Sequence, residues 1–143
     1  MITNENFELN LRILAKHLET DTDDISANMA DDYLVCTEEE ADEAVKKAVL
    51  SSLWAFRPSF IVSHMAYKPE HMAERDEIEK SLNKIQCSLC ETANFLVKSM
   101  IKDIDHFVDD AVSSDGRGHF LAQYGDEHEV EIDGVIYLVY RQN

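Results

Sequence analysis

Residues 129–141 read EVEIDGVIYLVYR: two short runs rich in β-branched and aromatic residues, joined by Asp133-Gly134. Both turn residues tolerate positive φ, which a two-residue type I′ turn demands, so the stretch predicts a β-hairpin. Upstream, HFLAQY (119–124) has similar composition and is followed by Gly125-Asp126, which extends the expectation to a small antiparallel sheet packing one face on helices. Ahead of Asp115-Gly116 the apolar period is helical. The fold expected is therefore α+β: a mostly helical body of about four to five helices over residues 1–114, then a C-terminal antiparallel β-hairpin or sheet over 115–143, in a single domain.

Within the body, Phe7, Leu11, Leu14 and Leu18 predict a first helix from Asn4 to Leu18, capped by Asn4 or Thr3. Ile25, Met29 and Leu34 permit a short second helix. Thr37 and Glu40 have the spacing of a capping box and mark a third helix, whose apolar face includes Ala41, Val45, Val49 and Leu53 and which Pro58 ends near Arg57. The run SFIVSHMA (59–66) fits either a helix restarted at Pro58 or a buried strand, with helix favoured. Pro69 suits the first turn of another helix. From Glu70 through Asp115 there is no Gly or Pro, so this span reads as almost wholly helical. One helix of that length would overhang a compact core, so a turn is expected near Leu82 to Ile85.

Charge narrows the function classes. Thirteen basic residues against 29 acidic ones give a formal charge of −16. Such a field repels phosphate backbones and anionic membranes and attracts basic protein surfaces. Direct nucleic-acid binding and membrane association are not expected. The N-terminus lacks the pattern of a secretory signal, no run is long and apolar enough to span a membrane, and three cysteines do not make a disulfide framework, so a reducing cytoplasm is expected.

The negative charge is concentrated. Residues 18–45 carry Glu19, Asp21, Asp23, Asp24, Asp31, Asp32, Glu38, Glu39, Glu40, Asp42 and Glu43 without a Lys or Arg. These eleven carboxylates are the candidate partner-binding surface, since they can present negative charge to a basic groove. The plainer use is a solvated face that also favours the N-terminus of the Thr37 helix. Asp21, Asp23 and Asp24 lack the glycine and distal glutamate of a calcium loop.

Other clusters carry less. Cys87 and Cys90 are a lone CxxC that can supply two zinc ligands, with His64, His71 or His106 completing the set, or pack as small core residues beside Leu89. Cys36 reads as a buried filler. No metal or other cofactor is expected. His119 lies near Asp115, Asp126, Glu127, His128 and Glu129 in sequence, where an acid and a base can meet, but no spacing there is catalytic. Enzymatic activity has no positive support. Trp54, Phe56 and Phe60 fit core packing better than a partner anchor.

The ending DDAVSSDGRGHFLAQYGDEHEVEIDGVIYLVYRQN (109–143) resembles that of small, mostly uncharacterised proteins encoded by tailed bacteriophages. Asp115, Gly116, Arg117, Gly118, His119, Phe120, Leu121, Tyr124, Tyr140, Arg141 and Asn143 match the pattern, while Gly125-Asp126 stands where the family has Asp-Gly. The resemblance implies phage origin and a host-cytoplasm setting, and transfers no catalytic residue. In physical terms, Gly116 and Gly118 free the backbone for a sharp helix exit, and Arg117 is expected to pair with Asp110 or Glu129. Together with the acidic block, the ending points to an accessory protein that binds and modulates or inhibits a host protein with a basic surface, for example a defence or nucleic-acid-processing factor. The alternatives are a self-associating helical protein, a homodimer held by the apolar period from Ile78 to Ala111, and a small metal- or acid-base-dependent enzyme around His119.

Overall fold

A computed structural model describes the backbone of residues 4–143 and the side chains from Asn6 onward. The expected Thr3 or Asn4 cap lies outside the described side chains. The fold is α+β, mostly helical, with a small antiparallel sheet. In chain order the elements are α1 (Asn4–Leu18), a 3-10 turn (Thr22–Asp24), α2 (Ala27–Asp31), β1 (Tyr33–Cys36), α3 (Glu38–Ser51), a 3-10 turn (Leu53–Ala55) and α4 (Pro58–Ser63). They continue with α5 (Met72–Leu89), a 3-10 turn (Cys90–Ala93), α6 (Asn94–Met100), α7 (Ile104–Asp115), α8 (Arg117–Leu121), β2 (His128–Ile132) and β3 (Val135–Arg141). The chain divides into two compact units: the residues up to Val45 together with Asp115–Asn143, and Lys46–Ser114.

The first unit is built on the hairpin. Asp133 at φ 52° and Gly134 at φ 80° form the turn, and Ile132 faces Val135 across it. The sheet order is β1-β3-β2, so the terminal strand is central and the third strand comes from Tyr33–Cys36, which pairs antiparallel with Leu138–Arg141. This corrects the reading of Leu34 as helical: α2, capped by the Ser26 hydroxyl, ends at Asp31, and the chain then extends. Strand alternation sends Val130 and Val139 to one face, where Ile13 and Leu14 of α1 pack on them. Cys36, Leu138 and Tyr140 point to the other face and are buried as well. There α8 packs against β3, which covers that face in part, while Glu129, Glu131 and Ile136 on the same face stay exposed.

The expected strand HFLAQY is also corrected. Residues 117–121 are helical, and only Gln123 joins the sheet margin, its N–H donating to the Arg141 carbonyl at 2.8 Å. β-Propensity reports burial on a packed surface more than backbone preference, and Leu121 meets that requirement on a helix. Gly116 at φ 83° separates α7 from α8.

In the second unit α3 ends earlier than Pro58 requires. The Ser52 hydroxyl donates to the Ala48 carbonyl at 2.7 Å, and Ser51 to the same carbonyl at 3.0 Å, so side chains compete for the helix's last acceptors. Asn94 then ties the turn down, accepting from the Trp54 N–H at 2.9 Å and donating to the Ser51 carbonyl at 2.7 Å. Pro58 restarts a helix, the favoured of the two readings. α5 begins at Met72, three residues after Pro69.

The break expected near Leu82 to Ile85 falls at Leu89–Cys90, where Cys90 takes φ 49°. A second break separates α6 from α7, so the apolar period from Ile78 to Ala111 is shared among α5, α6 and α7. Leu82 is buried inside α5, and the buried Gln86 amide donates to the Phe56 carbonyl at 2.7 Å. Phe56 and Phe60 pack edge-on against Phe107, with ring centroids 5.0 and 4.9 Å away, and all three lie within this unit.

Candidate functional site

All eleven candidate carboxylates belong to the first unit. Ten are exposed and Asp32 is half-buried. The Thr37 capping box forms as read: its hydroxyl accepts from the Glu40 N–H at 3.2 Å, and the Glu40 carboxylate accepts from the Thr37 N–H at 3.1 Å. That cap fixes the first turns of α3. Ala41 and Val45 face inward, which leaves Glu39 and Glu43, four residues apart, as a row on the outer surface. Thr22–Asp24 holds Asp23 and Asp24 in a turn, where Asp24 accepts from the Thr20 hydroxyl at 3.2 Å. Asp32 accepts from the Asn143 amide at 2.9 Å, next to the end of β3.

Glu38 and Asp42 have a different role. The half-buried Arg117 guanidinium donates from Nη1 to Asp42 at 3.0 Å and from Nε to Glu127 at 2.9 Å, with Glu38 at 3.6 Å. These partners replace the expected Asp110 and Glu129. Glu127 also accepts a hydrogen bond from the fully buried Tyr140 hydroxyl. Burial works against the Arg117 charge, but the bonds from Glu127 and Asp42 outweigh it and raise its pKa further. Burial, then the Glu127 bond, hold the Tyr140 phenol well above its ordinary range. Burial, then Glu40, push the Cys36 thiol from 9.0 up to about 11, with Arg117 opposing.

These two acids set an alkaline limit on stability. Both are held neutral in the fold, so their contribution is intact below the unfolded values and is lost as pH rises through the folded ones. Urea unfolding is expected to show a loss of about 2 kcal/mol between pH 8 and 10.5. Cys36→Ala should flatten most of that slope and Tyr140→Phe part of the rest. Unchanged slopes in both variants would show that other groups are responsible.

The motif residues of the ending separate by position. Gly116, Arg117, Gly118 and Tyr140 build the junction just described. An added Cβ at Gly118 would meet the Gly125 carbonyl oxygen at 2.2 Å, so the 125–127 segment rests directly on α8. Asp115 is exposed at the end of α7. His119 is exposed too, and no hydrogen bond or ion pair among the described residues joins it to Asp115, Asp126, Glu127, His128 or Glu129. His128 sits instead beside His17, ring centroids 4.7 Å apart.

Those two histidines line a cleft of about 210 Å³ together with Tyr33, Tyr124, Asp126 and Arg141. The Arg141 guanidinium lies over the Tyr124 ring at 5.9 Å. Burial, then His128, lower the His17 pKa. Sequence reasoning missed this juxtaposition, because His17 closes α1 while His128 opens β2 more than a hundred residues later. The only local signal was the pairing of Tyr124 and Arg141 in the motif.

Cys87 and Cys90 are both exposed, as is Leu89, which corrects the alternative of core packing. Among the described residues the one group of three or more His, Cys, Asp and Glu side chains close enough to share a metal ion is His64, His106 and Asp110. It contains neither cysteine, and His71 is no part of it. No helix among the described residues is long and apolar enough to cross a membrane. No protein-family model, no curated protein and no solved structure matches this chain.

Proposed function

We propose that this chain is an acidic binding protein that modulates a basic protein partner through the carboxylates between Glu19 and Glu43. The observation that carries the reading is their exposure on short, locally fixed elements: ten of the eleven lie at the surface, in a chain whose formal charge is −16. A field of that sign attracts cationic surfaces and speeds encounter with them. The structure divides the block by role. Glu38 and Asp42 hold Arg117, Glu40 caps α3 and Asp32 accepts from Asn143, so the residues best suited to an external partner are Glu19, Asp21, Asp23, Asp24, Asp31, Glu39 and Glu43. The phage-like ending supports a host protein as the partner, with the host cytoplasm as the setting. A nucleic-acid-processing or defence factor is the natural class, because its own binding face is basic.

The test is capture. Immobilised protein, exposed to bacterial lysate at low salt and eluted with a salt step, should release a basic partner. The affinity of the purified pair should then fall by about tenfold or more between 50 and 300 mM salt. Salt-independent binding would reject an acidic-surface mechanism.

A further inference from the structure

We propose that His64, His106 and Asp110 form a binding site for a divalent transition metal, Zn²⁺ in the first place, with a further coordination position open to water or to an exogenous ligand. The three donor atoms lie within 4.8 Å of one another. His64 Nε2 is 3.0 Å and His106 Nε2 3.5 Å from the same atom, Asp110 Oδ2. Donors around a tetrahedral zinc are separated by about 3.3 Å, given metal–ligand bonds near 2.0 Å. Small side-chain rotations therefore suffice to place one ion among all three. Two imidazoles and one carboxylate form a donor set suited to zinc and its neighbours rather than to calcium or magnesium, which favour all-oxygen shells.

The positioning is built into the second unit and does not depend on long flexible side chains. His106 and Asp110 are four residues apart on α7, hence on one face. Asp103 caps that helix, its carboxylate accepting from the His106 N–H at 3.2 Å. His64 follows α4 and is fixed by its backbone. Its carbonyl accepts from the Lys102 N–H at 2.9 Å, the Ala66 N–H donates to the Met100 carbonyl at 3.1 Å, and Met65 and Ile101 form an isolated antiparallel bridge between these two bonds. The His64 ring is buried between Phe60 at 5.0 Å and Phe107 at 5.1 Å. A ligand held this way loses little freedom on binding metal.

Electrostatics agree with the geometry. Without a metal, two imidazoles compete for one carboxylate oxygen, and burial disfavours the protonated form of His64 even though Asp110 favours it. A neutral imidazole is the form that binds metal. His106, then Lys68, which donates to the Ser63 carbonyl at 2.9 Å, oppose positive charge at His64. Asp110 favours that charge, whereas Asp105 on the same helix is engaged by Lys46 at 2.8 Å. His106 and Asp110 are partly exposed, which gives an ion a path in from solvent.

Calorimetric titration of the full-length protein with Zn²⁺ at pH 7.5, in the presence of millimolar Ca²⁺, tests the site. One equivalent should bind, and both His106→Ala and Asp110→Asn should weaken binding about tenfold or more. Both substitutions are at accessible positions, so their folding is checked by circular dichroism in parallel. A Cys87→Ser/Cys90→Ser variant should bind as the parent does, and Co²⁺ bound in place of zinc should show ligand-field bands without thiolate charge transfer. No stoichiometric binding, displacement of zinc by Ca²⁺, binding lost with the cysteines, or affinity unchanged in both folded ligand variants would each overturn the proposal.

Discussion

Replacing Gly118 by alanine should destabilise the protein by about 3 kcal/mol, a fall in Tm of roughly 10 °C for a chain of this size. The reason is contact rather than backbone conformation. A Cβ at residue 118 would stand 2.2 Å from the Gly125 carbonyl oxygen and 2.8 Å from its carbon, so backbone must move. The displaced segment leads to Glu127, which both Arg117 and Tyr140 use, and the strain reaches the junction polar network. Gly116 provides the contrast. It has φ 83° and ψ 155°, a conformation essentially confined to glycine, with nothing within 4 Å of an added Cβ, so Gly116→Ala is opposed by backbone strain alone, at about 1–3 kcal/mol. A Gly118→Ala variant that unfolds at the parent's Tm would contradict the contact argument.

Arg117→Ala should cost about 3 kcal/mol, and Arg117→Lys should recover less than half of that. Removing the guanidinium leaves Glu127 beside the buried Tyr140 hydroxyl without its counter-charge, and breaking one side of a semi-buried ion pair is more costly than never forming it. The exposure of Glu38 and Asp42 keeps the figure near the low end of the range for buried pairs. Lysine restores a charge but not the fork that spans Glu127 and Asp42. Full rescue by lysine, measured by urea unfolding at pH 7, would show that net charge alone matters.

How much of this was legible in the chain depended on the range of the interactions. The 133–134 turn and the Thr37 capping box are specified within four residues, by positive φ in one case and by reciprocal hydrogen bonds in the other, and both formed as read. β1 was missed because YLVC is too short to show a period, and its partner strand lies a hundred residues downstream. The HFLAQY run, whose first residues fall in α8, resembles a strand in sequence because apolar and aromatic content reflects a buried environment, which helix and sheet share. The break at Cys90 was misplaced because a non-glycine residue adopts positive φ there, and sequence offers no marker for that.

The candidate sites follow the same rule. The acidic block lies in one continuous stretch and its exposure was expected, whereas the division of labour within it depends on Arg117 reaching back 75 residues to Asp42. The His64–His106–Asp110 cluster was half visible. His106 and Asp110 have helical spacing, but only the Met65–Ile101 bridge places His64 beside them.

The measurement that bears most directly on the proposed function is the affinity of the captured partner for a variant carrying Asp21→Asn, Asp23→Asn, Glu39→Gln and Glu43→Gln. These positions are exposed and take no part in the Arg117 network or the α3 cap, so stability should stay within about 0.5 kcal/mol of the parent. Binding at low salt is expected to fall by about a hundredfold, with a shallower salt dependence. A folded variant that binds its partner as tightly as the parent, with the same response to salt, would contradict the account.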